Sequence, residues 1–160
     1  MAKQRTWNPE ELRPLVGVWT APQTAHAICL SDIRRWAIAT HWPEDPPLVY
    51  WDEAEAKKTR FVGIVAPQEF NPFAWSIKPP PPDLRLSKAT AGLTGLNGGR
   101  KEIYGVRMRA GDVISRRTTL ANWNEQTGRH GLMLYLYKEA RWTNQRDELV
   151  KTIMSTSIWY

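Results

Sequence analysis

Apolar and polar positions follow two different periods along this chain, and the change falls near Leu96. Before that point the apolar residues recur at helical spacing. Ser31 is placed to cap a helix that continues from Asp32 to Ala39, with Ile33, Trp36 and Ala37 on one face. Pro43, Pro46 and Pro47 then force an extended loop. Asp52 caps a short second helix: Glu55 follows three residues later, as in a capping box, and Lys57 and Lys58 suit its C-terminal end. Pro67 is well placed as the first residue of a third helix. Phe70, Phe73, Ala74 and Ile77 stand at positions 0, 3, 4 and 7 of its apolar stripe. Pro72 conflicts with a regular helix there and predicts a kink or restart, and Pro79 to Pro82 end the segment. Residues 1–30, broken by Pro9, Pro14 and Pro22, read as irregular, and residues 83–94 read as a loop.

From Leu96 onward the pattern is that of strands. Ile103–Arg109 is a short strand followed by a turn at Ala110-Gly111-Asp112. Val113–Asn124 and Leu132–Thr143 are long strands joined through a turn at Thr127–Gly131. A turn at Asn144–Asp147 leads to a last strand, Glu148–Tyr160, in which Val150, Thr152, Met154, Thr156, Ile158 and Tyr160 share one face. Three long strands with short connections predict an antiparallel meander, and the Phe70–Ile77 helix is the candidate to cover it. The expected class is α+β, a curved antiparallel sheet wrapped around a central helix. Residues 1–160 form one domain without internal repeats.

Composition narrows the function classes. With 42% hydrophobic and 24% charged residues, the 160-residue chain can bury a core without cross-links. One cysteine, Cys29, excludes an internal disulfide and fits a reducing compartment, so a cytoplasmic location is expected. One cysteine and three scattered histidines predict no metal site. The apolar runs Leu132–Tyr137 and Phe61–Pro67 are too short to span a bilayer, and the polar segment Met1–Leu12 does not read as a signal peptide. The net charge of +6 favours anionic partners. The bases form scattered doublets (Arg34-Arg35, Lys57-Lys58, Arg116-Arg117) rather than a tract, so neither a nucleic-acid nor a membrane partner is expected. Nine tryptophans point to aromatic packing in a core or an interface.

Four stretches, in order, resemble the MaoC-like dehydratase family, particularly its N-terminal-type domains. They are Ile33-Arg34-Arg35-Trp36-Ala37; Pro47-Leu48-Val49-Tyr50-Trp51-Asp52-Glu53-Ala54-Glu55-Ala56; Phe61-Val62-Gly63-Ile64-Val65-Ala66-Pro67; and Leu96-Asn97-Gly98-Gly99 with Arg109-Ala110-Gly111-Asp112. The resemblance spans about Ser31 to Tyr160. It implies a hot-dog fold, an acyl-CoA thioester substrate, hydration of 2-enoyl-CoA or dehydration of 3-hydroxyacyl-CoA, and no cofactor beyond the CoA of the substrate. It also implies pairing of two such units, as a homodimer or as a heterodimer with a catalytic MaoC-like subunit.

Hydration of an enoyl thioester needs a base for water, an acid for the α-carbon and donors for the enolate oxygen. Catalytic family members supply the acid–base pair as Asp-x-Asn-Pro-x-His. Here the stretch is Glu44-Asp45-Pro46-Pro47-Leu48-Val49, so Glu44 or Asp45 takes the acid's place, and Val49 or Tyr50 stands where the histidine belongs. The family's His-Gly before the central helix is replaced by Ala66-Pro67. His41 lies on the wrong side of the loop. The chain therefore reads as a non-catalytic or weakly catalytic, substrate-shaping subunit of a hydratase or dehydratase. Two alternatives stand beside it: an acyl-CoA thioesterase using Glu69 as nucleophile or base, and a non-enzymatic acyl-CoA-binding protein. By the resemblance, substrate contacts fall to the backbone of Gln68, Glu69 and Phe70, to Phe73 with Trp75 and Trp51 along an acyl tunnel, and to Asn97, Gly98 and Gly99. Arg107 and Arg109 are the candidates for a CoA phosphate.

Overall fold

A five-stranded antiparallel sheet organises the chain in a computed structural model that describes residues 7–75, 84–129 and 131–160. The strands are β1 (Gln23–Thr24), β2 (Gly95–Tyr104), β3 (Ser115–Gly128), β4 (Gly131–Thr143) and β5 (Leu149–Trp159), in the order β1-β3-β4-β5-β2. The meander read from the sequence is thus β3-β4-β5. β2 returns to pair with β5 and stands at one edge of the sheet.

Helices α1 (Pro9–Leu12), α2 (Leu30–His41), α3 (Glu53–Lys57) and α4 (Leu84–Ala89) lie among the connections, with 3-10 turns at Arg13–Leu15, Leu48–Tyr50 and Pro72–Trp75. Register fixes which side chains point inward. Trp142 opposes Lys151 and Ala140 opposes Ile153 across β4 and β5, while Tyr104 opposes Lys151 and Glu102 opposes Ile153 across β2 and β5. Trp142, Lys151 and Ile153 are buried, so this is the covered face. Of the set read onto one face, Thr152, Met154, Thr156 and Ile158 do share it, on the outer side, whereas Val150 is buried in the core. Two apolar clusters fill the covered side. One joins Ile33 of α2 and Ala56 of α3 to Ile64, Ala66, Phe70, Phe73, Met108, Ile114, Trp142 and Ile153. The other sets Trp7, Leu12, Leu86 and Ala89 against Leu120, Leu134 and Leu136.

Several elements differ from the sequence reading. The helix expected from Pro67 is absent among the described residues. Gln68 and Glu69 form a turn, and a 3-10 turn occupies Pro72–Trp75. Phe70 N donates to Pro67 O at 3.1 Å and Ala74 N to Asn71 O at 3.0 Å, both spaced three residues apart. Pro72 has no N–H for a regular helix and its ring obstructs the preceding turn, which explains the outcome. The stripe still works as packing: Phe70 and Phe73 are 1% and 8% exposed. Ile77 lies outside the described residues.

Residues 84–89, expected in a loop, form α4, whose buried Leu86 and Ala89 begin a helix-spaced series continued by Thr90 and Leu93. The expected strand Ile103–Arg109 lies instead at Gly95–Tyr104. The strand stops at Gly105, where a Cβ would meet Leu149 O at 2.0 Å, and Met108 turns away to accept from Ala66 N at 2.8 Å. Asn97, Gly98 and Gly99 therefore sit within β2, at a bulge, rather than in a loop before the sheet. Cys29, not Ser31, occupies the cap position of α2, and no side chain caps it. Asp52 caps α3 as read, Oδ1 accepting from Glu55 N at 2.9 Å. The first 30 residues are less irregular than expected, holding α1, β1 and the fully buried Leu12.

Candidate functional site

Two places on the molecule collect the residues that chemistry would use. The first is a cleft of about 480 Å³ where α2 gives way to the proline-rich loop. Trp42 N donates to Ile38 O at 3.1 Å and Glu44 N to His41 O at 2.8 Å, which turns the chain sharply out of the helix. The Trp42–Pro43 bond is cis. The loop then presents Trp42, Glu44, Asp45 and Pro46 toward Ile38, Leu48 and Trp51. Its apolar members are unusually open: Ile38 is 42%, Trp42 79%, Leu48 54% and Trp51 40% exposed. A cleft of that size with apolar walls and two polar groups has the make-up of a small-molecule site. Glu44 and Asp45 both lie on it, exposed, and no histidine, lysine or arginine is among the residues that line it. His41 points elsewhere. Its Nδ1 is 2.8 Å from Ala37 O, and its ring lies against Tyr50 with centroids 6.0 Å apart. That bond fixes Nδ1 as the donor. The outer wall is held by Arg34, which donates to Trp51 O at 2.9 and 3.2 Å with its guanidinium over the Trp51 ring.

The second place is a recess between the Pro67–Gln68 turn and residues 104–108, closed by Val150 and Lys151. It gathers two sequence candidates, Gln68 and Arg107. The remaining candidates are elsewhere or already engaged. Glu69 is exposed on the turn and not on a helix, so the helix dipole has no hold on it. The Phe70 amide is spent on Pro67 O. Phe70 meets Trp36 edge-on at 5.4 Å and Phe73 meets Trp142 at 5.0 Å, so both rings pack in the core. Asn97 Oδ1 accepts from Gly99 N at 2.9 Å within the exposed bulge. Arg107 Nη2 donates to Ala66 O at 2.9 Å, and Arg109 donates to the carbonyls of Phe61 and Ile64. These two guanidiniums clamp the 61–66 segment to the 107–109 segment.

Lys151, Glu102 and Tyr104 form a group that sequence reasoning missed. Lys151 is 2% exposed, its Nζ lies 3.1 Å from Glu102 Oε2, and Tyr104 Oη donates to the same oxygen at 2.7 Å. Arg100 pairs with Glu102 Oε1. Burial holds Lys151 below the ordinary lysine pKa, more than the bond to Glu102 restores. Burial pulls Glu102 upward, but the bonds from Tyr104 and Lys151 and the charges of Lys151 and Arg100 outweigh it and leave its pKa lowered. The bond to Glu102, then burial, pushes Tyr104 up to about 12. A signal existed in the sequence: in the β5 alternation Lys151 falls on the side of Ile153.

Comparison with known proteins agrees with this architecture. A family model described as "FAS1-like, dehydratase domain region" matches residues 14–153. No curated protein matches the chain. Among solved structures, the ChsH1-ChsH2 complex from Mycobacterium tuberculosis superposes with a TM-score of 0.80 at 18% identity, covering 93% of this chain and 88% of that one. The C-terminally truncated HadBC (3R-hydroxyacyl-ACP dehydratase) complex from Mycobacterium tuberculosis gives 0.64 at 18% identity, covering 90% and 96%. The (R)-hydratase from A. caviae involved in PHA biosynthesis gives 0.59 at 14% identity, covering 89% and 94%. The fold is the hot-dog fold of these MaoC-like neighbours.

Proposed function

The chain belongs to the FAS1-like dehydratase-region family, and from that premise we propose that it is the substrate-shaping, non-catalytic subunit of an enoyl-CoA hydratase or 3-hydroxyacyl dehydratase. The observation that carries the reading is the make-up of the cleft. Glu44 and Asp45 stand on an open apolar cleft, but no imidazole accompanies them, and His41 is turned onto its own helix backbone. A lone exposed carboxylate can orient a water or a hydroxyl. Hydration also needs proton delivery to the α-carbon, and an imidazole is suited to this near neutral pH. Trp42, Leu48, Trp51 and Ile38 would hold the acyl part, and a paired subunit would supply the proton donor. Two of the structural neighbours are themselves complexes of two named subunits, which supports a partner of the same fold. The β2 edge is a natural place for it, because unpaired strand edges attract another strand.

Product analysis tests the reading. Supplied with crotonyl-CoA, the isolated chain should yield little 3-hydroxybutyryl-CoA, and adding a catalytic MaoC-like subunit should restore turnover. Release of free CoA by the isolated chain, stopped by Glu69→Gln, would establish the thioesterase alternative instead. Binding without turnover in any pairing would leave an acyl-CoA-binding protein.

A further inference from the structure

Lysine is almost never fully buried without a partner, and Lys151 is among the most deeply buried side chains of this protein. Its ammonium carries three donors. Glu102 Oε2 accepts from it at 3.1 Å, and its other close neighbours include ring faces, Trp142 at 4.8 Å and Tyr104 at 5.1 Å. Ring faces attract a cation but replace a full hydrogen bond poorly. Tyr104 and Arg100 also donate to Glu102, so its carboxylate is shared among three donors and gives Lys151 a single contact. A second donor lies on the same recess: Arg107 Nε–H is buried with no acceptor. Arg107 and Lys151 line the same recess, which has about 10 Å³ of room, the space of one water-sized atom. Gly105 also borders the recess, and its lack of a side chain is enforced by the Leu149 carbonyl.

A recess with surplus donors, two cationic side chains and room for one atom fits an acceptor-only occupant. We propose that the Lys151–Arg107 recess is a single-atom anion site, taking either a free halide or the carbonyl oxygen of a thioester as that oxygen gains negative charge. Only the thioester source rests on the hydratase reading; the anion chemistry does not. Side chains rather than backbone amides supply the positive charge, and Glu102 sets the position of Lys151.

Bromide is the probe, because its anomalous scattering locates it in a crystal. Crystals of the full chain soaked in sodium bromide should show a peak in the recess within bonding reach of Lys151 Nζ. The Lys151→Met variant should lose that peak and weaken bromide binding in solution by about tenfold or more. A wild-type recess without bromide, or a peak unchanged in Lys151→Met, overturns the proposal; the wild-type measurement decides even if the variant does not fold. A second arm identifies the source. If bromide competes with crotonyl-CoA in the active pair, the occupant is the thioester oxygen. If both bind together, the site serves a free anion, and the hydratase reading is untouched.

Discussion

Glu102 takes Tyr104, Lys151 and Arg100 on one carboxylate, and the consequences are readable by titration. The folded-state pKa of Tyr104 is raised from 10.0 to about 12, so its contribution to stability is complete below pH 10.0 and disappears as pH rises through about 12. Tyr104→Phe should therefore be less stable than the wild type at neutral pH, and the gap should close across that alkaline window in denaturant titrations. Glu102 has the opposite sign: its pKa is lowered from 4.5, so its contribution is present above that value and fades as pH falls through the lower folded pKa. The Asp52 cap gives a simpler case. Asp52→Ala should cost about 1 kcal/mol of unfolding free energy. Its capping role was legible in the sequence because a cap needs one residue and a fixed spacing. The Lys151 group was not, because it is assembled by register across β2, β4 and β5.

The segment from Pro67 to Trp75 separates what a pattern can predict from what it cannot. Apolar spacing placed Phe70 and Phe73 correctly in the core, since burial depends mainly on which side of the backbone the rings project from. The element type differs because the conflict that Pro72 sets up is resolved as turns rather than as a kinked helix over the described residues. The end of β2 was misread for a related reason: Gly105 terminates the strand through a close backbone approach to Leu149 that only the folded register creates. Gly105→Ala should accordingly destabilise the chain by about 1–3 kcal/mol, measurable by urea unfolding. Trp42 should behave in the opposite manner. At 79% exposure, its replacement by Ala should leave stability within about 0.5 kcal/mol of wild type. The same change should raise the KM of the active pair for an acyl-CoA, which steady-state kinetics would register.

At the scale of the molecule, a sheet with β1 at one end and β2 at the other leaves β2 as a long edge strand with no further strand beside it among the described residues. Sedimentation of the purified chain at micromolar concentration should show a dimer or larger species, and a stable monomer would count against pairing. The α+β class and the three-stranded meander were legible because period-two alternation survives over long strands. The cleft was legible only as two carboxylates without a histidine; that they share a wall with four open apolar side chains depends on how α2 ends. The central claim is that this chain shapes a site whose proton chemistry belongs to its partner. The most direct measurement compares variants of the assembled pair for hydration of crotonyl-CoA. Replacing the partner's catalytic histidine should lower the rate by about 10²–10⁴-fold, whereas Glu44→Gln with Asp45→Asn in this chain should change it far less. A pair that survives loss of the partner's histidine but is silenced by Glu44→Gln or Asp45→Asn would place the catalytic group here and contradict the account.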